Sequence, residues 1–231
     1  MGDLDRFDAH YRHLVLWDNE ALAVVGAYRL GEAGSLLARH GMDGLYSATL
    51  FDYAPAAREF LHEAVELGRS FVQPAYWGTR SLDYLWQGIG AYLRFRAGVR
   101  WLFGPVSLSA TLPAAAREWI VACYRHYFGD SDGLARARNP FRVTGQIDHA
   151  AATAWAGKDW PAGFTELRRR LAALGASVPT LYRQYVELCE PAGVRFLDFG
   201  LDPRFGGCVD GLVRLNLARL QPLKRQRYLG S

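Results

Sequence analysis

Two short apolar runs stand near the start of the chain. Residues 13–17 (HLVLW) and 22–30 (LAVVGAYRL) are rich in β-branched and other large apolar side chains, and the turn-forming residues Asp18-Asn19-Glu20 separate them. Apolar runs joined by a short polar connection are typical of two strands that pair with each other. The pattern therefore predicts an antiparallel hairpin.

A second pattern spans residues 65–108. Residues 65–73 (VELGRSFVQ) have the composition of a strand that stops at Pro74, and residues 99–108 (VRWLFGPVSL) that of another strand. Between them, apolar side chains recur at intervals of three and four, which places them on one face of a helix over residues 80–97. These side chains are Leu82, Leu85, Trp86, Ile89 and Leu93. The order of strand, helix and strand predicts a crossover unit.

The rest of the chain continues this mixed order. We predict an extended segment at 45–53, a short helix after Pro55, and a helix from Pro113 to Gly129. Residues 131–145 have loop composition. Helices at 164–174 and 178–189 and strands at 194–201 and 208–217, joined by the turn DPRFGG, complete the prediction, and the basic tail is expected to fray.

The composition supports a packed globular protein. Half of the 231 residues are hydrophobic and 13% are aromatic, which is enough to build a core. No apolar run reaches the ~18 residues of a transmembrane helix, and the start lacks the apolar segment of a signal peptide. The cysteines form no CxxC pair and the histidines no ligand spacing, so we expect neither a metal site nor a disulfide framework. These features favour the cytoplasm.

The formal net charge is +4, and arginine carries nearly all of the positive charge. A positive balance suits an acidic partner, such as nucleic acid, an anionic membrane surface or an acidic carrier protein. A codon bias towards arginine explains it equally well. Because no helix-turn-helix, RNP or zinc signature is present, we expect no nucleic-acid partner.

Three stretches of the sequence carry a resemblance to a known family. They are LDRFDAHYRHLVLWD with VVGAYRL, then ELGRSFVQPAYWGTRSLDYLWQGIGAYL with WLFGPVSL, and finally VPTLYRQYVELCEPAGVRFLDFGLDPRFGGCVDGLVRLNLARLQPLKRQRYL. Together they cover most of the chain. In these stretches the protein resembles the ornithine–acyl-carrier-protein N-acyltransferases, also called haemolysin-like proteins, of the GNAT superfamily.

The resemblance implies an α+β (α/β) fold, with a GNAT-like mixed, mostly antiparallel sheet flanked by helices. Residues 1–231 would form one domain, with a thioester-binding core at 1–130 and a helix-plus-hairpin extension at 131–231 packed on the same sheet. The implied reaction transfers a (3-hydroxy)fatty acyl group from acyl carrier protein to the amine of an amino acid, ornithine first, in the synthesis of lyso-ornithine lipid. The carrier thioester is a co-substrate, and no bound cofactor is implied.

Two departures from the family qualify this resemblance. Family members have an N-terminal strand and a helical pair before the segment that matches RFDAHYRHLV, and here these elements are expected to be missing. The glycine-rich pyrophosphate loop of the wider superfamily is also absent, since residues 76–81 read YWGTRS. An acyl carrier protein, which presents a single phosphate on its pantetheine arm, therefore fits better as the donor than coenzyme A.

Amide formation from a thioester needs a base for the amine, a polarised carbonyl and aligned substrates. Glu66 is the candidate base and Ser70, on the same face of a regular strand, the group that polarises the carbonyl. Gly68 would allow close approach to the backbone, and Arg69 would contact the acyl head or the carrier phosphate. Each residue also has a structural alternative. Glu66 could form an ion pair with an arginine, and Gly68 could form a plain β-bulge. Arg69 could be a solvated or structural arginine, and the Ser70 hydroxyl could make a local hydrogen bond.

The segment that follows would bind the pantetheine arm and its phosphate, because a strand end and a helix start offer backbone N–H groups. The candidates are Phe71, Gln73, Thr79, Arg80 and Ser81. Three further arginines lie towards the end of the helix and just after it: Arg94, Arg96 and Arg100. Together with Arg80, they either dock the acidic carrier protein or form an ordinary solvated surface.

Other side chains have weaker assignments. A cationic acceptor would suit Asp198, Asp202 and Asp210, although Asp202 also fits turn chemistry. The departing thiolate could take a proton from Tyr182, Tyr185 or Cys208. Four aromatic residues fit an acyl tunnel or the core: Trp77, Trp86, Trp101 and Phe103. His10 and His13 are expected to be structural.

Competing functions stay open. An acyl-homoserine-lactone synthase shares the superfamily and a Glu-x-x-Arg strand, but it uses S-adenosylmethionine. A non-catalytic carrier- or membrane-binding module is the third alternative. Peripheral contact with a membrane is expected through the basic helix at residues 165–170, because basic amphipathic helices bind anionic lipid surfaces.

Overall fold

The computed structural model describes residues 4–230. In chain order its elements are β1 (Arg12–Asp18), β2 (Ala23–Glu32), α1 (Ala33–His40), β3 (Phe51–Tyr53), α2 (Ala57–His62), β4 (Ala64–Val72), α3 (Ser81–Arg94), β5 (Trp101–Leu108), α4 (Ala114–Phe128), β6 (Ala135–Ala137), α5 (Gly145–Trp155), α6 (Trp160–Ala173), α7 (Thr180–Leu188), β7 (Val194–Asp202), β8 (Cys208–Asn216) and α8 (Pro222–Leu229).

Six strands form one sheet in the order β1-β2-β4-β5-β8-β7, and β3 pairs with β6 in a separate ribbon. The β4–β5 pair is parallel, with α3 as its crossover helix, while the other pairs of the main sheet are antiparallel. The predicted hairpin and crossover unit are therefore confirmed. So is the mixed, mostly antiparallel sheet with flanking helices.

The central feature of the sheet is a divergence between β4 and β5. Residues 64–66 of β4 pair with residues 101–103 of β5, and the pairing stops there. Beyond Glu66, residues 68–72 have no partner strand on the β5 side within the described part of the chain. On their other sides β4 stays paired with β2 and β5 with β8. The sheet thus opens into a V with two well-supported arms.

The local sequence explains why the strands part. Arg69 has φ +45°, in the left-handed region, and forms a bulge where the register with β2 shifts between Ala27 and Arg29. On β5, a Cβ at Gly104 would lie 2.0 Å from the Leu67 carbonyl oxygen, so the strands still touch there. Pro105 follows and has no N–H to donate to a neighbouring strand.

Both faces of the sheet are covered. On one, which we call the α1 face, the chain segment 4–11, α1, α2 and the β3–β6 ribbon bury Phe103 and Leu212. On the other, the α3 face, helices α3 to α8 bury Val65, Leu67 and Leu102. Helices α1 and α2, which cover the α1 face, follow β2 in the chain. They are therefore not the strand and helical pair that the resemblance places before RFDAHYRHLV, and the expectation that those elements are missing stays a prediction.

Two local predictions are wrong. Residues 45–53 were expected to be extended, but the chain turns through 3₁₀ segments at Gly41–Gly44 and Ser47–Thr49 before the short β3. The tail was expected to fray, but α8 packs the buried Tyr228 against Trp86 and hydrogen-bonds Asp83. Contacts distant in sequence decide both segments. Helices α1 and α5 also form where the pattern predicted none.

The substitution Gly90→Ala tests the packing of α8 on α3. A Cβ at Gly90 would lie 2.0 Å from the Tyr228 carbonyl oxygen, so α8 must shift. Alanine is intrinsically favoured over glycine in a helix by about 1 kcal/mol. We nevertheless expect a net loss of about 1–3 kcal/mol in the free energy of unfolding, measured by urea titration, because overpacking outweighs propensity.

The control is Gly98→Ala, where an added Cβ meets no atom within 4 Å. It should change the free energy of unfolding by less than about 0.5 kcal/mol. A Gly90→Ala protein more stable than the parent would show that α8 does not pack as described.

Candidate active site

The candidate site lies where β4 leaves β5 and leads into α3. Residues 68–72 present a strand edge to the opening of the V, and the Trp77 indole N–H donates to the Val72 carbonyl at 2.8 Å. Helix α3 begins at Ser81, whose backbone N–H donates to the Thr79 hydroxyl at 3.2 Å. Strand edge and helix start thus adjoin, as predicted.

Glu66 lies on the α1 face just before the divergence, and only 1% of it is exposed. Its carboxylate accepts hydrogen bonds from the Ser47 N–H at 2.6 Å, the Tyr46 N–H at 3.2 Å and the Tyr11 hydroxyl. Burial raises the pKa of the Glu66 carboxyl, and these donors counteract the rise. Glu66 therefore both holds the 44–47 turn against the sheet and has the raised pKa that a general base needs.

Ser70 does not share the face of Glu66. The bulge at Arg69 interrupts the alternation of side chains, so Ser70 points to the α3 face. There it neighbours the Tyr28 hydroxyl, whose pKa is raised well above the ordinary value, first by burial and then by Tyr185, while Ser70 and Trp86 act in the opposite direction. The expectation of one shared face is wrong because it assumed a regular strand.

The bulge also places Arg69 over the α1 face, where its Nη2 lies 3.2 Å from Asp5. Asp5 in turn receives two hydrogen bonds from Arg29 Nη1, at 2.8 and 2.9 Å. Arg29 is directly opposite Gly68 in the β2–β4 register. Gly68 is itself buried, yet a Cβ added there would meet no atom within 4 Å. Room for a ligand group thus exists beside the strand.

A cavity of about 790 Å³ opens on the same face, with Asp5, Phe7, Tyr46 and Asp202 in its wall. Asp210 is near, since its charge and that of Asp202 both raise the pKa of Tyr46, which burial first raises, to about 12. The Asp210 carboxyl itself has a pKa raised to about 6, chiefly by burial and further by Asp202. Asp202 and Asp210 thus form an acidic pair here, while the cavity wall as a whole has three acidic side chains, Asp5, Asp43 and Asp202, and three basic ones, Arg6, Arg138 and Arg204.

Asp198 and the three side chains that were predicted to give a proton to the leaving thiolate have structural surroundings. Asp198 accepts the Ala137 N–H at 2.8 Å and does not join Asp202 and Asp210. Tyr182 donates to the Val106 carbonyl at 3.0 Å. Tyr185 and Cys208 are buried. Asp202 also accepts the Arg204 N–H, which agrees with the predicted turn chemistry.

Among the remaining predicted substrate-binding residues, Gln73 ties the end of β4 to β2 by donating to the Val24 carbonyl. Phe71 is 49% exposed and lies in a cross-strand row with Ala27 and Val15. Thr79 donates to the Tyr76 carbonyl at 2.7 Å, and Arg80 stacks over Tyr84 at the helix start. Their roles in binding stay predictions.

The three arginines predicted to dock the carrier lie at the opposite end of α3. Fourteen helical residues separate the two ends by about 20 Å. Arg96 pairs with Glu32 at 2.7 Å and Arg100 with Glu63 at 3.5 Å, while Arg94 is exposed. Only Arg80 stands at the junction itself.

The remaining candidates do not join the site. Trp86, Trp101 and Phe103 pack into the two cores, and Trp77 lies on the surface. The His10 ring contacts His40, and His13 contacts the Asp8 carbonyl. Over residues 4–230, no cluster of His, Cys, Asp and Glu is arranged to hold a metal ion. Nor does that part of the chain contain a helix long and apolar enough to span a bilayer.

Comparison with known proteins agrees with this geometry. Residues 2–87 match the family model described as an acetyltransferase (GNAT) domain. A glycine N(alpha)-acyltransferase of Phocaeicola vulgatus is 27% identical over 99% of this chain and 73% of its own length. An L-ornithine N(alpha)-acyltransferase of Brucella abortus is 37% identical over 49% of this chain and 41% of its own length. Residues 2–87 thus match a GNAT acetyltransferase domain, which confirms the predicted resemblance.

Among solved structures, the GNAT-like decarboxylase GphF in complex with isobutyryl-CoA aligns with 88% of this chain and 77% of its own, at 18% identity and a TM-score of 0.40. That likeness is too loose to bear on the site. Domain and relatives together identify an acyltransferase of the GNAT type, and the prediction of an enzyme is confirmed.

Sequence reasoning missed three residues that build the site. Arg29 and Tyr11 supply the buried polar groups on the α1 face, and Ser107 hydrogen-bonds Asp210. A charged residue inside the apolar run of β2 was a signal for Arg29, because an arginine in a buried strand needs partners. The position of Tyr11 before β1 carries no such signal.

The buried Asp210 predicts a pH dependence of stability. Its folded pKa is raised from 3.8 to about 6, so the neutral form is favoured in the folded protein. The resulting stability is fully present below about pH 4 and is lost as the pH rises through about 6. Asp210→Asn cannot ionise, so its free energy of unfolding relative to the parent should rise by up to about 3 kcal/mol between those limits, measured by denaturant titrations.

Ser107→Ala is the matched variant, because it removes the hydrogen bond that lowers the Asp210 pKa. It should move the pH-dependent step to a higher pH. Identical pH profiles for the parent and Asp210→Asn would contradict the assignment.

Proposed function

We propose that this protein transfers a fatty acyl group from acyl carrier protein to the α-amine of an amino acid, with ornithine as the first candidate acceptor and lyso-ornithine lipid as the product. The observation that carries the proposal is the divergence of β4 from β5 beneath the start of α3. An arm rich in amides can extend the sheet by pairing with a free strand edge. Its phosphate suits the helix start, where the N-cap residue Arg80 provides no side-chain cap for the N–H groups of the first turn.

The junction of β4 and α3, where the acyl donor is proposed to bind, favours an acyl carrier protein over coenzyme A as the donor. The turn at residues 76–81 has one left-handed glycine, Gly78, where a pyrophosphate loop would need several, and the N-cap residue of α3, Arg80, provides no side-chain cap. This junction therefore suits the single phosphate of a pantetheine arm. Arg80, 65% exposed at the helix start, can attract the acidic carrier, whereas the arginines about 20 Å away at the other end of α3 cannot share that contact.

The acceptor end lies on the α1 face. Asp202 in the cavity wall and the adjacent Asp210 offer two carboxylates to an acceptor with a second positive charge, and ornithine has one. Glycine is the second candidate, because two relatives that match nearly the whole chain are named for glycine. The assay described below separates the two.

The chemistry requires the amine nitrogen to lose a proton and attack the thioester carbon. The C–N bond forms, the C–S bond breaks, and the pantetheine thiolate takes up a proton. Glu66, with its raised pKa, is the proposed base, and Tyr11 is the group through which its carboxylate meets the substrate side. Because Ser70 faces the other side of the sheet, we assign carbonyl polarisation to the backbone edge of β4.

Contact with a membrane stays a prediction. The charge of the basic helix at residues 165–170 is partly neutralised, since Glu166 pairs with Arg169 and Arg170 at 2.7 Å. The exposed row of Val15 and Phe71, with Trp17 near it, is the more apolar surface beside the candidate site. An amphiphilic product could leave across that row.

The direct test is an acyl-transfer assay. The protein is incubated with 3-hydroxyacyl-carrier protein or the matching acyl-CoA, together with ornithine, glycine or S-adenosylmethionine. We expect N-acyl amino acid from the carrier thioester, with ornithine preferred. Transfer from acyl-CoA alone would overturn the choice of donor. A lactone from S-adenosylmethionine, or carrier binding without any product, would overturn the proposed function in favour of its alternatives.

Glu66→Gln should lower kcat by about 100-fold or more while the affinity for the carrier stays unchanged, as expected for loss of a general base. Tyr11→Phe is the matched variant. It removes a hydrogen bond that lowers the Glu66 pKa, so the rising limb of the pH profile of kcat/KM should move to higher pH. Circular dichroism checks that both proteins fold. Unchanged turnover in folded Glu66→Gln, or an unmoved pH limb in Tyr11→Phe, would remove Glu66 as the base.

A further inference from the structure

Arg29 is a buried arginine in which three of the five guanidinium N–H groups are unused. Its side chain is 1% exposed, and its Nη1 donates to Asp5 at 2.8 Å and to Asp8 at 2.8 Å. Within residues 4–230, Nε and Nη2 have no hydrogen-bond partner. A buried donor that is left unpaired destabilises the fold, and a charged one does so more strongly.

The two unpaired nitrogens form one edge of the guanidinium. Nε and Nη2 point to the same side of the planar group, and this edge binds both oxygens of a carboxylate in parallel. The whole bidentate edge of Arg29 is therefore unused, while the remaining nitrogen has two carboxylate partners. A purely structural arginine would need only the contacts that Nη1 already makes with Asp5 and Asp8.

Aromatic rings fix the guanidinium beside the acceptor cavity. Its central carbon lies 5.0 Å from the ring centroid of Tyr11, 5.2 Å from that of Tyr46 and 5.7 Å from that of Phe7. Tyr46, Phe7 and the Arg29 partner Asp5 also line the cavity of about 790 Å³. The guanidinium of Arg29 thus lies directly behind the part of the cavity wall that Tyr46, Phe7 and Asp5 form.

The register of the sheet places open space next to Arg29. Cross-strand partners direct their side chains to the same face, and the partner of Arg29 is Gly68. A Cβ at Gly68 would meet no atom within 4 Å, so room for a small group lies beside the guanidinium. Glu66, two residues earlier on β4, faces the same side.

The charges around this space are balanced. Arg29 and Arg69 both contact Asp5, and Arg29 also contacts Asp8, so two cations face two carboxylates. A site of this kind suits a zwitterion better than a bare anion, because a second anion would meet repulsion from the two aspartates. The backbone of a free amino acid is such a zwitterion.

We propose that Arg29 binds the α-carboxylate of the acceptor through its Nε and Nη2 edge, with the acceptor backbone in the space beside Gly68. This proposal rests on the proposed function, since it names what that site requires of its acceptor. The enzyme then acylates free α-amino acids and rejects amines that lack the carboxylate. The α-amine is held on the side of Glu66, the proposed base.

Calorimetric titration tests the proposal without catalysis. The probes are glycine against glycinamide and ornithine against putrescine, each with the protein saturated by carrier protein that bears its free pantetheine arm. We expect each amino acid to bind at least about tenfold more tightly than its partner without a carboxylate, because a charge-assisted bidentate pair is lost. Equal affinities, or no binding of either amino acid, overturn the proposal.

Two variants test whether the carboxylate of the amino acid binds at Arg29, in the space beside Gly68. Arg29→Lys keeps the charge beside Asp5 and Asp8 but removes the planar edge, so amino-acid affinity should fall at least tenfold and the preference over glycinamide should vanish. Gly68→Ala fills the open space and should weaken amino-acid binding by a similar factor with an unchanged melting temperature. Gly98→Ala, also without a neighbour within 4 Å, is its control and should bind as the parent does.

A purely structural role for Arg29 predicts that Gly68→Ala binds normally, and that result overturns the proposal even if Arg29→Lys fails to fold. Failure of the proposed function is distinguishable. No acyl transfer to any amino acid, combined with carboxylate-dependent binding that Gly68→Ala abolishes, leaves the Arg29 site intact and removes only the reaction assigned to it.

Discussion

The parting of β4 from β5 after Glu66 is the constraint on which the rest of the site depends. Three residue pairs hold the two strands together, and beyond them the bulge at Arg69 and the missing N–H of Pro105 interrupt the pairing. Backbone N–H and C=O groups on a strand edge need partners, so an open edge between two paired strands is costly unless a ligand or water completes it. The fold supplies that edge next to a helix start.

The same bulge divides the chemistry between two faces. It directs Arg69 towards Asp5 and the α1 face, and Ser70 towards Tyr28 and the α3 face. Acceptor groups therefore gather on one side of the sheet, while the donor arm is proposed to lie in its plane. The reaction would then take place where the two meet, beside Glu66.

The sequence allowed much of the fold to be predicted, for identifiable reasons. Strands β1, β2, β4 and β5 and helices α3 and α4 follow strong periodicity, and Pro113 and Gly129 mark the ends of α4. The turns at 41–49 and helix α8 escaped prediction because tertiary contacts hold them, through Glu66 in one case and Trp86 in the other. The face of Ser70 was missed because φ +45° at a non-glycine residue has no local signal.

Hydrogen exchange of the β4 backbone tests the opening of the V most directly. In the free protein, the amides of residues 68–72 that face β5 should exchange quickly, while those paired with β2 exchange slowly. Adding 3-hydroxyacyl-carrier protein should slow the fast set and leave the slow set unchanged, because the pantetheine arm then pairs with the edge. If the carrier binds and slows exchange elsewhere while these amides stay fast, the thioester does not occupy the opening between β4 and β5.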